Sequence, residues 1–108
     1  MRAHADSLKP HWFYILLSLA AGDRHGLAIA RDVHELSEKR VRLWPATLYG
    51  SLEELVDRRW IEELDTHPPD ESEKRRYYRI TRSGRAVVTA ETERLTRLVR
   101  AARTRVHA

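Results

Sequence analysis

Along the chain, apolar residues recur at helical spacing in three successive runs before the period changes. The first spans Leu8 to Ala21 with Trp12, Ile15, Leu16 and Leu19 on one face, and Gly22 ends it. After the turn GDRHG, residues 22 to 26, a second helical pattern from Leu27 to about Ser37 predicts burial of Ile29, Ala30, Val33 and Leu36. A short extended piece, Arg40 to Trp44, then leads to Pro45, which suits the first turn of a helix because its missing N–H has no partner to find there. In this third helix Leu48, Leu52, Leu55 and Val56 form one buried stripe at spacings of 3, 4 and 7, which leaves Thr47, Tyr49, Gly50 and Glu53 looking outward.

Beyond the third helix the pattern shortens. Trp60 to Asp65 (WIEELD) is a brief β-prone run, and the turn-forming THPPDESEK separates it from a second, Arg76 to Ile80 (RYYRI). Two strands around a polar loop predict a hairpin. The loop at 66 to 75 is too polar to bury and should project into solvent. Thr81 is a good N-cap for residues 82 to about 106, a long helix with no internal Pro and with Gly84 only near its start. Helix, helix, helix, strand, strand predicts an α+β, mainly α architecture: a winged helix-turn-helix over residues 1–81 followed by a long C-terminal helix over 82–108.

Charge changes the picture, because the net +4 conceals two unlike halves. Residues 1 to 73 carry 9 Lys and Arg against 14 Asp and Glu, whereas residues 74 to 108 carry 11 against 2. So uneven a distribution points to a polyanion, since neutralised phosphates release counterions and drive binding. In a winged helix the third helix enters the major groove and the wing touches the neighbouring backbone. On that reading Ala46, Thr47 and Tyr49 face double-stranded DNA, Gly50 and Ser51 keep the helix slim, and Lys74, Arg75 and Arg76 arm the wing. The terminal helix carries its own apolar stripe of Val88, Leu95, Leu98, Val99, Ala102 and Val106. An isolated monomer has nothing to cover it, so a second copy is the natural cover, with Trp12 and Phe13 of the first helix packing alongside.

Other chemistries find little support. With no Cys, the chain has no disulfide, zinc-thiolate site or Cys nucleophile. No apolar run approaches the length of a membrane span, and MRAHADSLKP lacks the apolar core of a signal peptide, so a cytoplasmic protein is expected. Among the histidines, His25 is expected to cap or brace its turn. The only metal-like grouping, Asp32, His34 and Glu35, is split over different faces of a helix, so no metal is expected. Ser37, Ser51 and Ser83 lack a nucleophile-elbow context, and no glycine-rich phosphate loop occurs, so the chain does not read as an enzyme. Trp12, Trp44 and Trp60 read as core or interface packing. One rival reading stands beside DNA binding. The acidic residues Glu53, Glu54, Asp70, Glu71 and Glu73 favour a protein-interaction adaptor built on the same winged helix.

HWFYILLSLAAGDRHGLAIARDV, PATLYGSLEELVDRRWIEE and RRYYRITRSGR together resemble the PadR family of bacterial transcriptional regulators over about Leu8 to Arg85. The most specific parts are His25 and Gly26, the TLYGSL of residues 47 to 52 and the RRYYRIT of residues 75 to 81. Leu27 stands where an aromatic is common, and Ala46 where Gly is common. The resemblance implies a homodimeric repressor on an inverted-repeat operator that, in many members, is released by a small molecule. A single long helix after the wing is similar to the small subfamily, in which that helix makes the dimer. Trp12, Phe13, Leu95, Leu98 and Val99 are then the residues placed to line an effector site between subunits.

Overall fold

The computed structural model describes residues 8–64 and 76–108. Its elements run α1 (Pro10–Ala21), β1 (Arg24–His25), α2 (Gly26–Leu36), α3 (Pro45–Asp57), β2 (Ile61–Glu63), β3 (Tyr77–Ile80) and α4 (Arg82–Val106). This is the expected winged helix-turn-helix with a long C-terminal helix, and it contains one strand that the hydrophobic pattern does not announce. β1 arises inside the turn GDRHG and pairs antiparallel with β3, Arg24 opposite Tyr78 and His25 opposite Tyr77. β2 flanks the other side of β3, giving a three-stranded sheet of order β1-β3-β2. Two residues carry too little periodicity to signal a strand, so only the neighbour β3 makes β1 one.

The core gathers one face of each helix over this sheet. Ile15, Leu16 and Leu19 of α1, Ile29 and Val33 of α2, and Leu48, Leu52 and Leu55 of α3 meet Ile61, Tyr78 and Ile80. One expectation fails at the edge. Leu36, placed in the buried stripe of α2, is exposed at the last position of that helix. Trp44, read as core or interface packing, is 62% exposed, so the core of this subunit does not take it.

Caps hold the elements at the required angles. His25 is the N-cap of α2, its Nδ1 accepting the N–H of Ala28 at 3.2 Å, while its ring meets Tyr77 edge-on. Thr81 caps α4, its Oγ1 accepting the N–H of Gly84 at 3.1 Å and donating to the Arg59 carbonyl at 2.7 Å. Gly84 itself lies so close to the Trp60 carbonyl that a Cβ would collide with backbone. α4 therefore begins docked on the core, with Val87 and Val88 packed against it, and then leaves the body of the molecule.

Candidate nucleic-acid interface

The first turns of α3 present a thin surface. Ala46, Thr47 and Gly50 are exposed while Leu48, Leu52 and Leu55, on the opposite side of the same helix, are buried. A Cβ added at Gly50 would meet nothing within 4 Å, so nothing in the subunit itself requires glycine there. Ser51, read with Gly50 as keeping the helix slim toward DNA, turns inward. It is buried, and its Oγ shares a 3.1 Å hydrogen bond with His11 Nε2 of α1. Burial, and after it the charge of Lys9, pulls the His11 imidazole below its ordinary value.

Tyr49 occupies a position between these two faces. It is 48% exposed, yet the end of its ring rests on Gly26 at the start of α2, where a Cβ would stand 2.8 Å from the phenol oxygen. Its other neighbours are Tyr78 and Arg76 across the groove between α3 and the wing. Arg76, at the foot of β3, is exposed and pairs with Glu63 at 3.8 Å. Burial, then the Glu63 carboxylate, pushes the Tyr78 phenol above its ordinary value, while Arg76, hydrogen-bonded to it, pulls the other way. Glu53 and Asp57 complete this groove, which thus holds one guanidinium among three carboxylates. Lys74 and Arg75, assigned to the wing with Arg76, lie outside the described residues.

The second surface lies between α1 and the outer half of α4. A groove of about 620 Å³ is walled by Phe13 and Leu17 on one side and by Leu95, Val99, Arg100 and Arg103 on the other. Phe13, Leu95 and Val99 are thereby brought together within one subunit. Trp12 is not with them. It is 3% exposed, meets Trp60 edge-on with ring centroids 6.4 Å apart, and carries the Arg58 guanidinium over its face at 4.9 Å. Its assignment to a subunit interface or effector site is therefore corrected: it belongs to the core of a single subunit. Val88 is also partly spent within the subunit, whereas Leu98, Ala102 and Val106 stand exposed along α4 outside the groove. Leu17, Arg100 and Arg103 were not singled out from sequence; Leu17 follows Phe13 by four residues, and that spacing is the signal that finds it. Among the described residues no group of His, Asp or Glu could hold a metal ion, and no helix is long and apolar enough to cross a membrane.

Comparison with known proteins gives the fold a context. No curated protein sequence matches the chain. Among solved structures it is similar to RosR of H. salinarum, 27% identical, with 82% of this chain and 74% of that one covered and a TM-score of 0.68. A PadR family transcription regulator from Clostridium difficile shares the fold at 19% identity, covering 90% of this chain and 97% of that one, with a TM-score of 0.69. PadR of Bacillus subtilis, solved in complex with operator DNA, shares it at 21% identity over 78% of this chain and 47% of that one, with a TM-score of 0.66. The family model described as "Transcriptional regulator PadR-like family" matches residues 15–90, which run from the second half of α1 to the first turns of α4. The chain belongs to this family of transcriptional regulators, which are not enzymes.

Proposed function

We propose that the protein is a cytoplasmic transcriptional repressor that binds an inverted-repeat operator as a homodimer. The observation that carries this reading is the division of α3: its leucine stripe is spent on the core, and its first turns offer Ala46, Thr47 and Gly50 to a partner at close range. A slim helical face of this kind suits the major groove. Residues 1–81 serve as the DNA-binding domain, with Tyr49 beside the groove and Lys74, Arg75 and Arg76 on phosphates. Residues 82–108 serve as the dimerisation helix. The exposed side chains Leu98, Val99 and Val106 support that role, because three large apolar groups on the outer part of one helix seek a cover. A small-molecule effector in the groove of Phe13, Leu95 and Val99 would act by favouring one angle between subunits, with a coupling of about 1 to 3 kcal/mol.

A gel-shift titration at several salt concentrations tests this. The probe is a duplex selected by the protein from a random-sequence library. Thr47→Ala should weaken the selected duplex more than an unselected one, and Arg75→Ala with Arg76→Ala should weaken both alike and flatten the salt dependence. The carboxylates Glu53, Asp57 and Glu63 around Arg76 favour a second reading, a winged-helix adaptor for a protein partner. Failure to select any duplex would leave that reading in place of the first.

A further inference from the structure

The segment between α2 and α3 has a feature that the core does not explain. Trp44 is the N-cap of α3, a position where Ser, Thr, Asp or Asn would bond a free N–H; its side chain makes no such bond and is 62% exposed. A large apolar ring in water at a cap position forgoes two stabilising options at once. Among the described residues its ring partner is Arg42, whose guanidinium carbon lies 5.3 Å from the indole centroid. The backbone here is extended, so alternate residues face opposite ways: Val41 and Leu43 turn inward, Arg42 and Trp44 outward. Lys39 and Arg40 are exposed just before them, and among the described residues none of these three cations is held in an ion pair.

The turn that carries them is fixed rather than slack. Buried Ser37 donates its hydroxyl to the His34 carbonyl at 3.2 Å and accepts the Val41 N–H at 2.8 Å. Glu38 and Lys39 both hold positive φ, 56° and 70°, in the left-handed region that non-glycine residues enter at a cost. A strained, side-chain-braced turn displaying three cations that are in no ion pair among the described residues, and an exposed indole, directly before the first turn of α3, is organised for a ligand. Its charge selects a polyanion, and its planar ring selects a partner with apolar faces between the anions.

We infer that Lys39, Arg40, Arg42 and Trp44 form a further DNA contact, in which the cations take phosphates beside the major groove and the Trp44 indole packs on the adjoining deoxyribose. The inference rests on the DNA-binding reading and extends it to a segment outside both the wing and the outward face of α3. Contacts to phosphate and sugar fix register without reading sequence, so this element should set how deeply α3 sits.

Trp44 reports on itself, because Trp12 and Trp60 are buried. Quenching of tryptophan emission by acrylamide should show one accessible class in the free protein, absent from Trp44→Phe. Saturation with the library-selected duplex, about 30 base pairs so as to hold two half-sites one helical turn apart, should remove that access. Arg42→Ala should make the slope of log affinity against log salt shallower by about one. Trp44→Ala should weaken selected and unselected duplexes by a similar factor, about tenfold, while Trp44→Phe retains most of the affinity. If the duplex binds and Thr47→Ala weakens it, but Trp44 stays fully open to acrylamide, this inference fails and the DNA-binding reading stands. If no duplex binds at all, both fail together. The quenching measurement uses the unmodified protein, so it holds even if Trp44→Ala does not fold.

Discussion

The end of the Tyr49 ring rests on the bare backbone of Gly26, so the outward face of α3 is set in part by the first residue of α2. Gly26→Ala would put a methyl group 2.8 Å from the phenol oxygen, closer than the ring can accept without moving. Because Tyr49 is half exposed, its ring can swing aside, and the stability cost should stay below about 1 kcal/mol. The effect should fall on DNA affinity instead. Gly26→Ala and Tyr49→Ala should each lower it, and the double mutant should bind no worse than Tyr49→Ala alone. Fully additive losses across that cycle would show that the two residues act separately.

Trp12 should behave as a core residue. Trp12→Ala removes a buried indole from contact with Trp60 and Arg58 and should cost about 3 to 5 kcal/mol, enough to consume much of the stability of a small domain. Phe13→Ala, on the groove side of the same helix, should leave the subunit folded. Urea unfolding of both variants distinguishes them; equal losses would return Trp12 and Phe13 to one surface.

The proposed dimerisation through α4 predicts a sharp response to charge. Leu95→Glu with Leu98→Glu would place four carboxylates in the seam, two from each subunit, at a desolvation cost that the interface cannot absorb. Sedimentation should show a monomer with its helical circular-dichroism signal largely retained. A dimer surviving both substitutions would move the interface elsewhere.

His11 predicts a pH dependence. Burial, reinforced by Lys9, lowers the folded-state value of the imidazole beneath its ordinary 6.5. The unfolded chain then takes up the proton first, so the stability His11 contributes is complete above about pH 6.5 and declines as pH falls toward the depressed folded value. His11→Gln, which can still reach Ser51, should make the pH dependence of the unfolding midpoint shallower between about pH 5 and 7. Identical profiles for the two proteins would place the titration on other groups.

How much of this was legible in advance depends on the range of the forces involved. Periodicity located α1, α2 and α3 and the leucine stripe of α3, because a helix's buried face is written in local spacing, and the Thr81 cap with a Pro-free run after it located α4. Local chemistry likewise predicted Pro45 at the start of α3 and the caps at His25 and Thr81, since a cap and the N–H groups it satisfies are within three residues of each other. What lay beyond local reach was the choice among apolar residues that satisfy the same pattern. α1 is apolar on more than one side, so spacing placed Trp12 with Ile15, Leu16 and Leu19 yet left it open to an interface as well; its contacts with Trp60 and Arg58 give it to the core, while Phe13 lines the groove. β1 exists because β3 runs beside it, Ser51 turns inward because His11 meets it from forty residues away, and Tyr49 settles on Gly26 because that glycine leaves room. Trp44 is exposed because the extended segment alternates, turning Leu43 inward and Trp44 outward, and Leu36 is exposed at the last position of α2. The sequence by itself determined which segments are helical and which face of each is greasy. The tertiary structure alone decided which of those greasy side chains the subunit buries and which it leaves exposed, since burial depends on neighbours distant in the chain.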